Sequence, residues 1–444
     1  MSSAPAPTWF GQPRGLTILF LTNMWEQFSY FGMRALLVYY MTRQLLMTQE
    51  SSSFIYGLYT AFAYFTPIVG GVIADRWLGK RRAVIIGASV MAAGHFLMAF
   101  EPAFYVALAT IALGNGLFLP TLPSQINDLY HADDPRRPWA YNVYYVGVNV
   151  GAFLAPLVCG FLGETYGWHY GFGAAGVGMV AGLLIYLWGQ RHLPAERTPA
   201  QAILPASAGA HRGRDTAMLL LGIGVAVTVF RAAYEQIGNT FALWMRDGVD
   251  RVIGGIEIGA AMFFSLNPLL VMVVTPLLLA RWKRQAEQGR EFSVMQKMAA
   301  GALMVAASYL LVAAAEAMSG EGSAHWLWLL SFFVVFTVGE LYILPNGLGI
   351  FARLAPPKLG ASTVAAWYFA IFTGSLAAGQ VGRLWSRIDH IPFFLLLAAI
   401  ATGAAVLLYL LDRPTKQVLA RASDRPADED LTDVPEGVAR PRKV

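Results

Sequence analysis

Charged residues are scarce in this chain. Only 13% of its 444 residues are Asp, Glu, Lys or Arg, whereas 56% are hydrophobic. A soluble domain carries about 25% charged residues and cannot hide this much apolar surface. The low charge content therefore excludes an ordinary soluble protein and predicts one that is embedded in a lipid bilayer.

Cysteine and the common catalytic motifs are also nearly absent. The one cysteine, Cys159, excludes a disulfide bond within the chain. The sequence contains no HExxH, GxSxG or GxxxxGKS/T motif and no paired catalytic carboxylates. The missing nucleotide-binding loop disfavours an ATP-driven pump, and the missing catalytic constellation disfavours a membrane enzyme. We therefore expect no enzyme, no metal and no cofactor.

The net charge of +5 comes from basic residues whose positions along the chain indicate a membrane topology. Lys and Arg cluster after the second, fourth, sixth and eighth apolar stretches, whereas the loops after the third, fifth and ninth contain neither. By the positive-inside rule, this pattern places both termini of a multi-pass inner (plasma) membrane protein in the cytoplasm. Because topology accounts for the basic residues and no aromatic-basic binding module accompanies them, we expect no nucleic-acid partner.

Apolar stretches of membrane-spanning length recur along the whole chain. They predict about twelve helices, near residues 16–42, 54–76, 82–100, 103–127, 139–163, 169–190, 216–245, 255–281, 292–317, 325–352, 360–386 and 391–411. We predict an all-α membrane protein with one six-helix bundle in residues 1–190 and a second in residues 216–411. Residues 191–215 are typical of a cytoplasmic linker, and residues 412–444 of a disordered cytoplasmic tail.

The first predicted helix carries polar side chains that lipid cannot satisfy. These side chains are Asn23, Glu26, Gln27, Tyr30 and Arg34. At 3.6 residues per turn they share one face, about 100° wide and roughly 16 Å long. A charge at the bilayer centre costs about 2.5 to 3.5 kcal/mol on insertion scales. The stripe must therefore face the bundle interior, either in a functional cavity or in a network that holds helices together.

Similar polar residues recur in later helices of both predicted bundles. They are Asn149 in the fifth helix, Arg231 and Glu235 in the seventh, Asn267 in the eighth and Glu340 in the tenth. Each taken alone is as consistent with helix packing as with ligand contact. Polar groups from both bundles together suit a substrate site near the membrane midplane, between the two halves.

Several stretches resemble the motifs of known transporters. The segment GGVIADRWLGKRR (Gly70–Arg82) resembles the loop motif between helices two and three of the major facilitator superfamily. NMWEQFSYFG, at the start of the polar stripe, resembles the first-helix signature of proton-dependent oligopeptide transporters, usually E-x-x-E-R-F-x-Y-Y-G. YYVGVNVGAFLAPLVCG and GELYILPNGL resemble their fifth- and tenth-helix signatures. The resemblance covers about residues 16–410 and implies the major facilitator fold.

The resemblance implies import of di- and tripeptides by proton symport and alternating access. It implies that Arg34 meets the carboxylate of the peptide and pairs with Glu235 to close the outer gate. It also implies that Glu340 meets the amino terminus, helped by Asn149 and Asn267. A zwitterionic peptide needs a cation and an anion on opposite walls of its site, which agrees with these residue types.

Aromatic residues complete the site that the resemblance implies. Tyr30, Tyr64 and Trp367 are expected to line the pockets for peptide side chains. Roomy apolar walls suit a pocket that accepts varied side chains. The expected partners are therefore small peptides and the lipid bilayer, with protons as the coupling ion. The sequence indicates no oligomeric state.

Three positions depart from the family pattern. Asn23 stands where the first glutamate of E-x-x-E-R is usual, Gln27 where the arginine is usual, and Leu119 where the fourth helix usually has a lysine. These departures make the motif degenerate and remove part of the usual proton machinery. Arg231 either pairs with Glu235 or fills the electrostatic gap that Leu119 leaves.

We nevertheless expect proton coupling, because acids remain inside the membrane. Glu235 is the expected main proton carrier, with Glu26 as the second choice, since a buried carboxylate that is intermittently unpaired can take up a proton. Other functions stay open. One is an uncoupled facilitator, one a transporter of another small zwitterion or anion, and one a receptor that binds ligand without transport.

Overall fold

The computed structural model describes residues 8–9, 11–130, 134, 136–194, 213–320, 322–354 and 360–423. Within these residues the chain is almost entirely helical, and its strands are only two residues long. A helix suits lipid because it satisfies its backbone N–H and C=O groups within one segment. The predicted all-α membrane fold is confirmed.

The first half of the chain forms seven α-helices within the described residues. They are α1 (Arg14–Arg43), α2 (Gln49–Ile73), α3 (Lys80–Leu97), α4 (Phe104–Ser124), α5 (Arg137–Ala155), α6 (Phe161–Tyr166) and α7 (Trp168–Gly189). A short antiparallel pair, β1 (Thr8–Trp9) and β2 (Gln12–Pro13), precedes α1. A wider helical turn at Pro156–Gly160 joins α5 to α6, so these two helices together form the fifth membrane helix.

The second half follows the same plan with additional short strands. Its helices are α8 (Gly213–Tyr234), α9 (Thr240–Asp247), α10 (Leu266–Glu287), α11 (Val294–Ser319), α12 (Leu327–Leu354), α13 (Gly360–Gly382), α14 (His390–Leu410) and α15 (Asp412–Ser423). Its strands are β3 (Val249–Asp250), β4 (Val252–Ile253), β5 (Ile256–Glu257) and β6 (Ala324–His325). Strands β4 and β5 pair antiparallel, and β3 pairs in parallel with β6.

Each predicted span has a counterpart among the described helices. Within the described residues, ten helical segments are long and apolar enough to cross a membrane. The remaining counterparts are α1, which carries the polar stripe, and α3, which opens on three basic residues. The eighth span begins later than the predicted residue 255, because residues 249–257 form short strands. Their turn uses Gly254 and Gly255 at φ of 61° and 84°, a conformation that glycine adopts readily.

The predicted linker and tail fall partly outside the described residues. Residues 195–212 of the linker and residues 424–444 of the tail are among those not described. The start of the tail, where we expected disorder, forms helix α15, and its Asp412 accepts hydrogen bonds from Ser293 and Gln296 at the start of α11. The division into two six-helix bundles at the stated boundaries stays a prediction.

Helices α2 and α13 join the two halves at close range. A Cβ atom on Gly57 of α2 would lie 2.4 Å from the Cα atom of Gly379 on α13. Because glycine has no side chain, the two backbones touch directly. Elsewhere the helices expose large apolar side chains to their surroundings, among them Leu113, Val177, Leu221 and Leu277. In a bilayer such side chains face lipid, where they are stable.

The seventh membrane helix is broken at the level of its charged residues. Helix α8 ends at Tyr234, a tight helical turn spans Glu235–Gly238, and α9 starts at Thr240. Asn239, between the turn and α9, has φ −116° and ψ −101°, which is not helical. The break places the Glu235 carboxylate at the end of α8. Broken membrane helices of this kind line binding sites in many transporters.

Candidate substrate-binding site

An ion pair joins the two halves in the centre of the protein. The guanidinium of Arg34 on α1 lies 2.6 Å from the carboxylate of Glu235 after α8. Arg34 also donates from Nε to the hydroxyl of Tyr56 on α2, at 2.8 Å. The Glu235 side chain is fully buried and that of Arg34 is only 13% exposed. The pair predicted across the halves is therefore present in this conformation.

A second guanidinium contacts the same carboxylate. Arg231 lies on α8, one turn before Glu235. It contacts Oε1 of the Glu235 carboxylate, whereas Arg34 contacts Oε2. Arg231 also lies over the rings of Tyr64 and Tyr234, with its Cζ atom 5.1 Å and 4.8 Å from their centroids. Of the two alternatives for Arg231, the structure shows pairing with Glu235.

Glu340 on α12 lies in a separate cluster of neutral donors. Its carboxylate accepts hydrogen bonds from the Tyr234 hydroxyl at 2.8 Å and from the Asn267 amide at 2.7 Å. Asn267 also donates to Thr337, at 3.0 Å. No Lys, Arg or His among the described residues forms an ion pair with Glu340. Its negative charge is therefore hydrogen-bonded but lacks a cation.

Tyr234 links the two charged clusters. Its hydroxyl donates to Glu340 while its ring faces the Arg231 guanidinium. A cavity of about 50 Å³ is bordered by Arg34, Tyr234 and Asn267. This volume holds one or two water molecules. Arg34 of one half and the Asn267 amide beside Glu340 in the other half thus line the same small, largely apolar cavity.

The E-x-x-E-R-like stretch of α1 forms its own hydrogen bonds. Asn23 accepts from the Tyr144 hydroxyl of α5 at 2.8 Å. Glu26 accepts from the Gln27 amide at 2.7 Å and is 1% exposed. In the described part of the chain no basic group forms an ion pair with Glu26. The stretch keeps one buried acid, Glu26. The amide of Gln27 lies next to it, at the position where the E-x-x-E-R motif has an arginine.

The remaining predicted site residues make contacts of other kinds. Tyr64 joins the ion-pair cluster through its ring, and Tyr30 packs edge-on against the ring of Phe31. Asn149 donates to the backbone carbonyl of Tyr145 on its own helix, at 2.9 Å. The Trp367 ring of α13 packs over Gly347 and Phe351 of α12. In this conformation neither Asn149 nor Trp367 hydrogen-bonds to the charged clusters.

Sequence reasoning did not single out three residues of the site. Tyr56 binds Arg34, Tyr234 binds Glu340, and Thr337 binds Asn267. Tyr56 has no charged residue within one helical turn, so the sequence pattern does not mark it, whereas Thr337 lies one turn before Glu340 on α12 and could have been found from that spacing. Tyr234 directly precedes Glu235 in the YEQ motif, and that adjacency was the available signal.

Contacts between the halves cluster on the side of the molecule that carries residues 44–48. Hydrogen bonds or ion pairs join Tyr39 to Ala242, Ser53 to Asn239, Gln49 to Gly382, Arg43 to Asp247 and Glu50 to Arg387, at 2.8 to 2.9 Å. Each contact connects α1 or α2 with the second half. We call these five pairs the closing contacts. The Arg34–Glu235 pair is buried, as are the Tyr39–Ala242 and Ser53–Asn239 contacts, whereas the two closing ion pairs involve exposed side chains.

Comparison with known proteins agrees with this architecture. The POT family model matches residues 81–212 and 210–398. A peptide transporter of Yersinia enterocolitica is 30% identical, over 91% of this chain and 95% of its own length. A di-/tripeptide transporter of Lactococcus lactis is 29% identical, over 93% of this chain and 97% of its own.

A solved structure supports the same assignment. The crystal structure of a variant of peptide transporter POT in complex with alafosfalin is 28% identical. It covers 94% of this chain and 97% of its own, with a TM-score of 0.85. The motifs in the first, fifth and tenth helices, the family match and the fold agree. The chain belongs to the POT family, the proton-dependent oligopeptide transporters.

Proposed function

We propose that this chain imports di- and tripeptides by proton symport and alternating access across an inner membrane. Support comes from the family match, from relatives named as peptide or di-/tripeptide transporters and from the neighbour that binds alafosfalin. The family transports and is not a family of enzymes. In this proposal both termini lie in the cytoplasm, so the closing contacts face outward and the described conformation is closed to the outside.

The observation that carries the proposal is that Arg34 of one half and the Asn267 amide that donates to Glu340 in the other half line one small cavity. Arg34 would bind the peptide carboxylate, and Glu340 would bind the amino group. Glu340 suits an ammonium because neutral donors hold it and no cation pairs with it in the described residues. Hydrogen bonds to charged groups contribute about 1.5–3 kcal/mol each. A zwitterion of peptide length would thus be held at both ends.

Polar and aromatic neighbours would complete the peptide site. Asn267 already donates to Glu340 and would help to orient its carboxylate toward the amino group. Asn149 would reach the peptide backbone when its own helix bond opens. Tyr30, Tyr64 and Trp367 would line the side-chain pockets, and their flat rings suit varied side chains.

Alternation would follow from breaking the closing contacts together with the Arg34–Glu235 pair. These contacts all join one half to the other, so rocking of the halves separates them at the same time. In the described state Arg34 is bound to Glu235, and a peptide carboxylate would compete with Glu235 for the Arg34 guanidinium. Arg34 would therefore take part in both gate opening and substrate binding.

The coupling proton would be carried by an intramembrane acid of this network. Glu26 and Glu235 are the candidates: Glu26 accepts from the uncharged Gln27 amide, and Glu235 contacts two guanidinium groups. Asn23 would hold α5 through Tyr144 and so keep the stretch in place. Which of the two acids carries the proton would depend on Arg231, the second guanidinium on Glu235.

Counterflow in proteoliposomes tests the proposal directly. Purified protein is reconstituted with unlabelled dialanine inside, and uptake of labelled dialanine is measured with competing dipeptides, N-acetylated dipeptides and single amino acids. We expect exchange that free di- and tripeptides inhibit and acetylated ones do not. Exchange inhibited only by another zwitterion or anion would overturn the substrate class. Binding without exchange would indicate a receptor.

A further inference from the structure

We propose that Arg231 is a permanent counter-ion of Glu235, which stays paired with this carboxylate throughout the transport cycle. Because Arg231 stays on Glu235, Arg34 can leave Glu235 and bind the carboxylate of the substrate. Glu235 does not have to take up a proton in this step. The inference rests on the proposed function, in which Arg34 receives that carboxylate. It adds a positioning residue to the site and removes Glu235 from the role of obligatory proton carrier.

The geometry divides the Glu235 carboxylate between two cations of different origin. Oε2 contacts Arg34, which belongs to α1 in the other half of the chain. Oε1 contacts Arg231, which lies on the same helix, four residues earlier. When the halves separate, Arg34 moves with α1, whereas Arg231 moves with Glu235. Only the Arg231 contact is therefore available in every state of the transport cycle.

The surroundings of Arg231 hold its guanidinium in place. Arg231 is 2% exposed. A Cβ atom on Gly374 of α13 would lie 2.4 Å from the Cβ atom of Arg231, so the absence of a side chain at Gly374 makes room for the arginine. The rings of Tyr64 and Tyr234 face the guanidinium at cation–π distance. A buried arginine with this support is positioned to stay on its carboxylate.

Counting charges shows what Arg231 changes. Arg34, Arg231 and Glu235 form a buried group with two positive charges and one negative charge. When Arg34 turns to a substrate carboxylate, Arg34 with the substrate is neutral and Glu235 with Arg231 is also neutral. Without Arg231, the same step would leave a buried carboxylate with no cation, which is strongly unfavourable unless the carboxylate binds a proton. With Arg231 present, the release of Arg34 therefore does not depend on protonation of Glu235.

The coupling proton must then reside on another acid. Glu26 meets the physical requirement, because it is buried and the Gln27 amide that donates to it carries no charge. Within the described residues, the charged or titratable groups facing Glu235 are Tyr30 and Arg34 on α1, Tyr56 on α2, Arg231 and Tyr234 on α8, and Tyr309 on α11. Arginine and tyrosine do not titrate between about pH 5.5 and 7.5, so the groups around Glu235 keep their charge over that range.

The test is a binding cycle with full-length protein and dialanine at about pH 7.5 and about pH 5.5. The variants are Arg231→Gln, Arg231→Lys, Glu235→Gln and the double variant Arg231→Gln/Glu235→Gln. Arg251→Gln is a matched control, since Arg251 pairs with Glu257 outside the cluster and outside the closing contacts. Thermal melting of each variant reports on folding.

We expect Arg231→Gln to weaken dialanine binding at least tenfold at the higher pH and to regain most of it at the lower pH, where Glu235 can protonate. Arg231→Lys should bind within about threefold of wild type, because it keeps the charge. In the Glu235→Gln background, Arg231→Gln should have no further effect. A structural role would instead weaken binding equally at both pH values and in both backgrounds, and that result overturns the inference.

Two other outcomes also overturn it. If Arg231→Gln binds dialanine as wild type does at the higher pH, Arg231 is not a counter-ion that binding requires. If wild-type protein binds no dialanine at either pH, the proposed function fails and the inference fails with it. The first outcome leaves peptide transport intact, so the two failures are distinguishable.

Discussion

Arg34 and Glu235 lie 2.6 Å apart across the two halves of the chain. Their contact is buried, whereas the Arg43–Asp247 pair of the closing contacts has side chains that are more than half exposed. A surface ion pair contributes about 0–1 kcal/mol, and removal of one partner from a buried pair costs about 3–5 kcal/mol. The central pair should therefore be more sensitive to substitution than the exposed Arg43–Asp247 pair.

Glu235→Ala should separate transport from binding. The substitution removes the anion between two buried guanidinium groups, so the outward-closed state loses its central contact while Arg34 remains available to a peptide. We expect exchange of dialanine to fall at least tenfold and dialanine binding to persist. Counterflow and equilibrium binding measure the two quantities. Arg43→Ala, which breaks one exposed pair, should change exchange by less than about threefold, and equal losses in both variants would contradict this view.

Glu340→Gln and Arg34→Ala should each weaken dipeptide binding by at least about 1.4 kcal/mol, or tenfold, if both make charge-assisted contacts with the substrate. Acetylation of the peptide amine should weaken binding to wild type more than binding to the Glu340→Gln variant. Calorimetry on purified protein measures these affinities. Glu316→Gln serves as the control, because Glu316 contacts Trp244 and His390 rather than the central cluster. Wild-type affinity in both single variants would remove this site assignment.

Gly57→Ala should destabilise the outward-closed state. Its Cβ atom would lie 2.4 Å from the Cα atom of Gly379, and backbone cannot move aside as a flexible side chain can. We expect a cysteine at buried position Ser53, in a Cys159→Ser background, to react faster with an impermeant maleimide when Gly57→Ala is present. The control is Gly403→Ala on α14, where nothing lies within 4 Å. Unchanged labelling in Gly57→Ala would show that the closed side tolerates the extra carbon.

Transport should be coupled to protons although the E-x-x-E-R stretch is degenerate. A membrane potential near 100 mV offers about 2.3 kcal/mol per charge, and one pH unit adds about 1.4 kcal/mol. One proton per neutral peptide could thus support roughly 500-fold accumulation. Dipeptide uptake is measured in liposomes with a negative, less acidic interior, with and without a protonophore. Uptake that only equilibrates and ignores both gradients would indicate an uncoupled facilitator.

Substitution of the coupling acid sharpens the same measurement. If the proton resides on Glu26, Glu26→Gln should abolish uphill accumulation while counterflow, which needs no net proton movement, continues. If Glu26→Gln accumulates peptide as wild type does, the proton resides elsewhere, and Glu235 returns as the carrier. Glu316→Gln again serves as the control for loss of an acid outside the network.

The sequence alone determined the class of the protein and its membrane helices, and it singled out most of the charged candidate site residues. Apolar stretches of fixed length identify spans because a bilayer has a fixed thickness, and polar side chains within them stand out against that background. For this reason the positions of Arg34, Glu235 and Glu340 within apolar helices are enough to single them out as candidate site residues. The family motifs added the roles expected of these residues, and the family itself is confirmed.

Tertiary structure decided which of these groups meet. Sequence spacing allows Arg231 to pair with Glu235, but it also allows a place near Leu119, and only packing against Tyr64, Tyr234 and Gly374 selects the first. The partnership of Tyr56 with Arg34 and the broken seventh helix likewise arise from contacts between distant segments. Helix periodicity specifies which face a side chain occupies, but not which residue of another helix lies opposite it. That depends on how all the helices pack at once, and no local pattern contains this information.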